Sequence, residues 1–291
     1  MERGAVIIEA AINGITQKAT NPNVARSAEE IAADALASFE AGAAIVHNHV
    51  DVHGDPRLVA DAYLETWAPV FEARPDALIY PTANAGPDGL TFDHLHLLAE
   101  SGRLRVSLCD PGSVNLGGVD ERGVPRGGFV YANSFDSITA QFAQATADRV
   151  GPSLAIYEPG FLRATIAHWR AGTLPQGSMI KFYLSTDRGY MGAPFGLPAT
   201  RLALDAYLEA LGDCPVPWAV SVVGGDVVES GLAEYAVEKG GHIHLGLEFH
   251  AGERTPTNAE LIAEAVAVCA RLGVEVASCD QAAEILDLPR R

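Results

Sequence analysis

The segment SAEEIAADALASFEAGAAIVHNH, residues 27–49, encodes a helix followed at once by a strand. Ser27 and Glu30 have the spacing of a capping box, which predicts that the helix begins there. Gly42 predicts its end, because glycine readily adopts the left-handed backbone conformation found after a helix. The apolar run Ala44 to His49 then predicts a buried strand.

The same alternation of short apolar runs and amphipathic stretches continues along the chain and is typical of βα units on a parallel sheet. Eight runs predict strands: Ala5 to Ala11, Ala44 to His49, Ala77 to Thr82, Leu104 to Cys109, Leu154 to Tyr157, Met179 to Leu184, Trp218 to Val223 and His242 to Leu247. This number matches a (β/α)8 TIM barrel, whereas a doubly wound sheet more often has about six strands. We therefore predict an α/β fold in which residues 1–291 form a single TIM-barrel domain.

The glycine-rich stretch Pro111 to Gly128 is long for a connection within a barrel. Its length is compatible with a lid or an active-site loop, and equally with an ordinary surface excursion. The sequence leaves both interpretations open.

Composition narrows the class of protein. Hydrophobic residues make up 48% of the chain and charged residues 20%, as in a globular protein with a sizeable core. The net charge of −17, without a run of basic residues, argues against a nucleic-acid partner.

The four cysteines lack CxxC spacing, which argues against a thiolate zinc site and fits a reducing cytosol. Since neither a signal peptide nor an apolar stretch of about 18 residues is present, we predict a cytoplasmic protein without a membrane partner.

Two predicted strands place potential metal ligands on the inner face of the barrel. His47 and His49 are two residues apart and therefore share one face of the second strand. In HIHLGLE, residues 242–248, the leucines and the isoleucine occupy one face, which leaves His244 and Glu248 pointing inward. In a closed barrel the second and eighth strands are both neighbours of the first, so their backbones lie about 10 Å apart and their side chains can meet. Two imidazoles and one carboxylate leave open coordination positions, as in catalytic zinc sites.

An isolated HxH pair more often consists of two unrelated polar residues, and it is the inward carboxylate that favours the metal site. His94 and His96 have the same spacing, but they lie in a predicted helix where the two side chains face different directions. Further inward polar residues near strand ends are Glu9, Asn13, Thr82, Asn84, Ser107, Lys181 and Tyr183. We expect Lys181 to pair with an inward acid such as Glu9 rather than to form a Schiff base.

Several segments resemble the beta-keto acid cleavage enzymes, and the similarity is collinear over nearly the whole chain. They are NPNVARSAEEIAADALASFEAGAAIVHNHV, IYPTANAG, GSVNLGG, YEPG, Trp218 with AVSVVG, and GGHIHLGLE. The resemblance implies a TIM barrel that binds zinc, or another divalent metal, through His47, His49 and Glu248. It also implies exchange of acyl groups between a beta-keto acid and acetyl-CoA, giving acetoacetate and a new CoA thioester, in a homodimer or homotetramer. Thr82 and Ser107 fall where the family has hydroxyl residues that contact the keto acid.

The chain departs from the family pattern around this site. His244 stands where the family has arginine, Phe249 where it has aspartate, and Asp51 where it has arginine. We therefore predict His244 as the proton-transfer group, with Glu9 as the alternative base, because imidazole titrates near neutral pH. Phe249 favours an apolar substrate side chain. Asn13, Thr82, Asn84 and Ser107 are the predicted substrate contacts, and the resemblance assigns no residues to CoA.

Other functions remain compatible with such a metal site. A metal-dependent aldolase or lyase would cleave a carbon–carbon bond of a small keto acid without CoA. The amidohydrolase class also has an HxH pair in a barrel, but that pair normally follows the first strand and is joined by further histidines, unlike the pattern here. A non-enzymatic metal-binding role is disfavoured by the open coordination.

Overall fold

The structure is a computed structural model that describes residues 4–86 and 89–290. Its strands in chain order are β1 (Ile8–Ala11), β2 (Ile45–Asn48), β3 (Ile79–Pro81), β4 (Asn84–Gly86), β5 (Gly89–Thr91), β6 (Val106–Leu108), β7 (Val114–Val119), β8 (Pro125–Tyr131), β9 (Gly151–Ile156), β10 (Met179–Ser185), β11 (Trp218–Val223) and β12 (His242–Leu245). Its helices are α1 (Ala28–Ala41), α2 (Pro56–Ala73), α3 (Asp93–Glu100), α4 (Phe135–Asp148), α5 (Pro159–Arg170), α6 (Arg201–Leu211), α7 (Leu232–Glu238), α8 (Asn258–Arg271) and α9 (Cys279–Ile285).

Within the described residues, eight parallel strands form one sheet in the order β3, β2, β1, β12, β11, β10, β9, β6. The sheet curls into a nearly closed barrel in which β3 and β6 lie side by side, although no ladder of hydrogen bonds joins them in the described part of the chain. Each of the eight predicted strands is present, with ends that differ by a few residues. The predicted TIM-barrel fold is confirmed.

Helix α1 shows how the opening segment specifies its own structure. Ser27 accepts a hydrogen bond from the backbone of Glu30, and the Glu30 side chain accepts one from the backbone of Ser27, which forms the predicted capping box. Gly42 ends the helix with a left-handed φ of 117°. The chain then enters β2, which contains His47 and ends one residue before His49, so both candidate metal-binding histidines lie near the carboxyl end of the strand.

The stretch Pro111 to Gly128 contains most of an antiparallel hairpin of β7 and β8 rather than an irregular loop. The hairpin packs against the segment after β10, where the amide of Ala193 donates to the carbonyl of Gly117 at 2.9 Å. That segment also supplies Tyr190, whose hydroxyl donates to Glu248. The hairpin and the segment after β10 together therefore cover part of the barrel mouth. In the ranges that the structure describes, no helix combines the length and apolar character needed to cross a membrane.

Candidate metal centre

The three predicted ligands meet at the carboxyl end of the barrel. His47 Nε2 lies 3.5 Å from Glu248 Oε2, and His49 Nε2 lies 3.4 Å from Glu248 Oε1. One ligand atom from each residue can be chosen so that all three lie within 4.8 Å of one another. The side chains are 10%, 15% and 6% exposed for His47, His49 and Glu248. The predicted convergence of two imidazoles and a carboxylate is therefore present.

These residues fit a divalent metal ion. Glu248 Oε2, His49 Nε2 and His47 Nδ1 are buried without a hydrogen-bond partner in the described structure, whereas buried polar atoms are normally paired. Burial lowers the pKa of His47 to about 3, so its imidazole is neutral at neutral pH. Burial alone would raise the pKa of Glu248, but His49, His47 and Tyr190 together lower it to about 2. A neutral imidazole and an ionised carboxylate are the protonation states that metal binding requires.

Glu248 reaches this position by a turn and not by a continuing strand. The predicted strand to Leu247 is too long, because β12 ends at Leu245 and Gly246 adopts a φ of 133°. A Cβ atom on Gly246 would lie 2.1 Å from the Ala11 carbonyl oxygen, so a larger residue does not fit there. The amide of Glu248 then donates to the same carbonyl at 3.1 Å. The inward direction of Glu248 was predicted correctly, although strict strand alternation does not produce it.

A buried polar network lies next to the ligands. Lys181 Nζ is 3.2 Å from Glu9 Oε1, as predicted, and donates to Tyr80 Oη at 2.8 Å. The Tyr80 hydroxyl donates to Glu9 in turn, and the Tyr80 ring packs on the His47 ring with centroids 4.6 Å apart. His244 Nε2 lies 3.4 Å from Glu9 Oε1. The network thus connects both predicted proton-transfer residues, Glu9 and His244, with the Tyr80 ring, which contacts the candidate ligand His47.

His244 is fully buried, and neither ring nitrogen has a hydrogen-bond partner among the described residues. Its ring stacks on Tyr183 with centroids 5.5 Å apart, and Phe249 lies 5.2 Å away. Burial, with the nearby charge of Lys181, lowers the pKa of His244 well below its usual range. The imidazole is therefore neutral before any proton transfer and holds an added proton weakly.

Two of the predicted substrate contacts, Asn13 and Asn84, have side-chain amides that form hydrogen bonds within the protein. The Asn13 side chain hydrogen-bonds the backbone of Gly14, Ala25 and His49. The Asn84 side chain bonds the amide and carbonyl of Gly54 and the hydroxyl of Thr91. The Asn13 amide therefore has no bonding capacity left for a substrate, whereas Asn84 Oδ1 accepts one hydrogen bond and keeps one acceptor position free.

Thr82 and Ser107 have different positions. Thr82 follows β3 and is half-buried near the barrel mouth, where it is still available as a substrate contact. Ser107 pairs with Pro152, whereas Leu108 pairs with Ser153, whose hydroxyl lies 3.4 Å from Tyr80 inside the barrel. Since paired residues of parallel strands face the same side, Ser107 faces outward.

The predicted inward direction of Ser107 is therefore wrong. Ser107 instead lines a cleft of about 470 Å³ between α3 and α4, on the outside of the barrel. In the run VSLC, residues 106–109, apolar side chains occur on both faces, so the sequence does not mark which face is inward.

Three residues near the site were not predicted. Tyr190 Oη donates to Glu248 Oε1 at 3.1 Å, and Tyr80 supports His47 as described above. Arg26 forms an ion pair with Asp51, and its guanidinium also donates to the Gly14 carbonyl at 2.8 Å. Asp51 stands at the position where the resemblance leads us to expect arginine. Its carboxylate is paired instead with Arg26, which comes from a different segment of the chain.

The chain is similar to known proteins over nearly its whole length. The sequence model of the beta-keto acid cleavage enzyme family matches residues 5–288. The 3-keto-5-aminohexanoate cleavage enzyme of Fusobacterium nucleatum is 27% identical over 98% of both chains. The 3-oxoadipate:acetyl-CoA acetyltransferase of Cupriavidus necator is 27% identical over 97% of this chain and 95% of its own. The apo structure of ObcA superposes with a TM-score of 0.68 and 15% identity over 92% of this chain and 66% of ObcA, a similarity that shows the fold alone.

Proposed function

The chain belongs to the beta-keto acid cleavage enzyme family, and we propose that it condenses a beta-keto acid with acetyl-CoA to give acetoacetate and a new acyl-CoA. The observation that carries this proposal is the meeting of His47, His49 and Glu248 at the carboxyl end of the barrel, where barrel enzymes hold their reactive groups. The names of the Fusobacterium and Cupriavidus relatives support cleavage of a keto acid and transfer to acetyl-CoA. The enzyme class is an acyltransferase that breaks and forms carbon–carbon bonds.

We propose zinc as the metal, because two imidazole nitrogens and one carboxylate oxygen with open positions are typical of catalytic zinc sites. Other divalent ions are compatible with the same ligands. A bound ion would act as a Lewis acid towards the keto oxygen of the substrate. The protein supplies the geometry, the exclusion of water by its buried ligands, and the groups that move protons.

The reaction requires removal of a proton from the carbon beside the keto group, and we propose that His244 accepts it with Glu9 in support. The neutral imidazole can accept a proton, and the Glu9 carboxylate 3.4 Å away would stabilise the resulting charge. Burial and Lys181 oppose that charge, so the proton would be held only briefly. Solvent deuterium exchange at the substrate α-carbon tests this role: His244→Ala should abolish exchange, and unchanged exchange would leave Glu9 as the base.

The side chain of the keto acid is proposed to be apolar. Phe249 lies beside Glu248 in the chain and contacts Tyr183 and Tyr190, with ring centroids 5.0 and 5.9 Å apart. These rings form an aromatic wall next to the ligands, which would favour hydrocarbon groups over a primary ammonium group. Thr82 is the proposed polar contact to the keto acid. We also propose that the protein is cytoplasmic and forms a homodimer or homotetramer. Sedimentation velocity of the purified protein would test the oligomeric state.

The decisive experiment incubates zinc-loaded protein with acetyl-CoA and a panel of beta-keto acids bearing apolar, anionic and ammonium side chains. Mass spectrometry should detect acetoacetate and a matching new thioester, with the highest turnover for apolar side chains. Glu248→Gln, which removes the anionic ligand at nearly constant size, should abolish turnover. Keto-acid loss without any thioester would contradict the acyltransfer proposal and indicate a lyase that acts without CoA.

A further inference from the structure

Glu248 is distant in sequence from His47 and His49, but one short segment, Ala11 to Gly14, contacts all three proposed ligands. The Ala11 carbonyl accepts the amide of Glu248 at 3.1 Å. The amide of Ile12 donates to the carbonyl of His47 at 2.9 Å. Both bonds continue the pairing of β1 with its two neighbours beyond the end of the strand. The spacing between the ligand-bearing strands is therefore set by this part of the chain.

His49 differs from the other two ligands, because it lies just past the end of β2. A single side chain holds its backbone on both sides: Asn13 Oδ1 accepts the His49 amide at 2.8 Å, and Asn13 Nδ2 donates to the His49 carbonyl at 3.0 Å. Asn48 adds a longer bond of 3.3 Å to the same carbonyl. Fixing both backbone groups of a residue fixes the direction of its Cα–Cβ bond and so limits the positions that its imidazole can reach.

The remaining bonds of Asn13 extend the support to Glu248. Asn13 Oδ1 also accepts the amide of Gly14 at 2.8 Å, and Nδ2 donates to the carbonyl of Ala25 at 3.1 Å. Gly14 packs so closely on Glu248 that a Cβ atom there would lie 2.2 Å from Glu248 Cγ. Asn13 is 1% exposed and its two donors and two acceptor sites are all used.

We propose that Asn13 is a positioning residue of the metal centre, which holds the His49 backbone and the Gly14 turn so that His49 and Glu248 face one ion. This inference rests on the proposed metal-dependent function. It assigns Asn13 no contact with substrate. Groups that orient metal ligands typically contribute about 10- to 100-fold to metal affinity, so this is the expected effect of removing the Asn13 amide.

The test compares zinc dissociation constants by competition with a chromophoric chelator, together with thermal unfolding of the metal-free protein. Asn13→Ala should weaken zinc binding about 10- to 100-fold. The control Asn21→Ala removes another buried amide, which hydrogen-bonds the Pro256 carbonyl at 2.9 Å and the Asn23 amide instead of the backbone of a proposed ligand. It should lower the unfolding temperature while leaving the zinc dissociation constant unchanged.

If Asn13→Ala does not fold, Asn13→Ser serves instead, because its hydroxyl can replace part of the bonding and should give an intermediate loss of affinity. Wild-type affinity in a folded Asn13 variant would overturn the proposal. An equal loss of affinity in Asn21→Ala would also overturn it, since the effect would then be general destabilisation. Failure of the wild-type protein itself to bind any divalent ion would instead refute the proposed metal-dependent function.

Discussion

Replacing Gly14 with alanine would place a methyl group inside the space occupied by the Glu248 side chain. The new Cβ atom would lie 2.2 Å from Cγ and 2.6 Å from Cδ of Glu248, and contacts below 3.0 Å are essentially never formed. Glu248 must therefore move by about 1 Å, whereas metal–ligand distances tolerate about 0.2 Å. We expect metal affinity to fall at least about tenfold, equivalent to about 1.4 kcal/mol. Overpacking should also lower the free energy of unfolding by about 1–3 kcal/mol.

Gly14 has a left-handed φ of 53°, so alanine there also strains the backbone. Gly172 is a matched control, because its φ is 70° and nothing lies within 4 Å of the position of a Cβ atom. Gly172→Ala should show the backbone cost alone, with unchanged metal affinity. Isothermal titration with zinc and urea unfolding of the metal-free protein measure the two effects. The reasoning is refuted if Gly14→Ala binds zinc as tightly as Gly172→Ala.

Three further changes test other parts of the structure. Tyr190→Phe removes the 3.1 Å hydrogen bond to Glu248 and should weaken zinc binding by less than about tenfold, with little change in unfolding by urea; an unchanged affinity would mean that Tyr190 does not orient this ligand. Lys181→Met leaves the buried Glu9 without its cation and should cost about 3–5 kcal/mol in urea unfolding, and adding Glu9→Gln should recover part of this loss; a cost below about 1 kcal/mol would contradict a tight buried pair. Burial raises the pKa of Asp34 to about 6 despite a hydrogen bond from Asn258, so the folded state holds a proton that the unfolded state releases near pH 4. Stability from Asp34 is thus lost as pH rises from about 4 to 6, and the unfolding free energy of Asp34→Asn relative to wild type should increase by about 1–3 kcal/mol between pH 4 and pH 7; a pH-independent difference would show that Asp34 does not titrate in this way.

The barrel and the meeting of the three candidate ligands could be predicted from the sequence because both depend on short-range patterns. Apolar runs of strand length recur along the chain, and His47 and His49 share a face by spacing alone. Glu248 was placed inward although β12 ends at Leu245, because the turn at Gly246 happens to return it to that side.

The remaining parts of the site depend on contacts between residues distant in sequence, which no local sequence pattern predicts. Asn13 bonds the backbone of residue 49 instead of a substrate, which depends on how the chain turns after β1. Tyr190 meets Glu248 across 58 positions of sequence. Ser107 lies in the run VSLC, residues 106–109, which has apolar side chains on both faces, so its direction follows only from the pairing of this strand with β9.

The unpaired junction between β3 and β6 has a consequence for solubility. A fully closed barrel has no strand edges, whereas this sheet ends in two, and exposed edges are sites where strands of different molecules associate and aggregate. Each edge strand here is only three residues long, and all six residues are buried. β3 also ends in Pro81, which has no amide proton to offer to an incoming strand. The gap in the barrel therefore gives neighbouring molecules almost no backbone on which to nucleate intermolecular sheets.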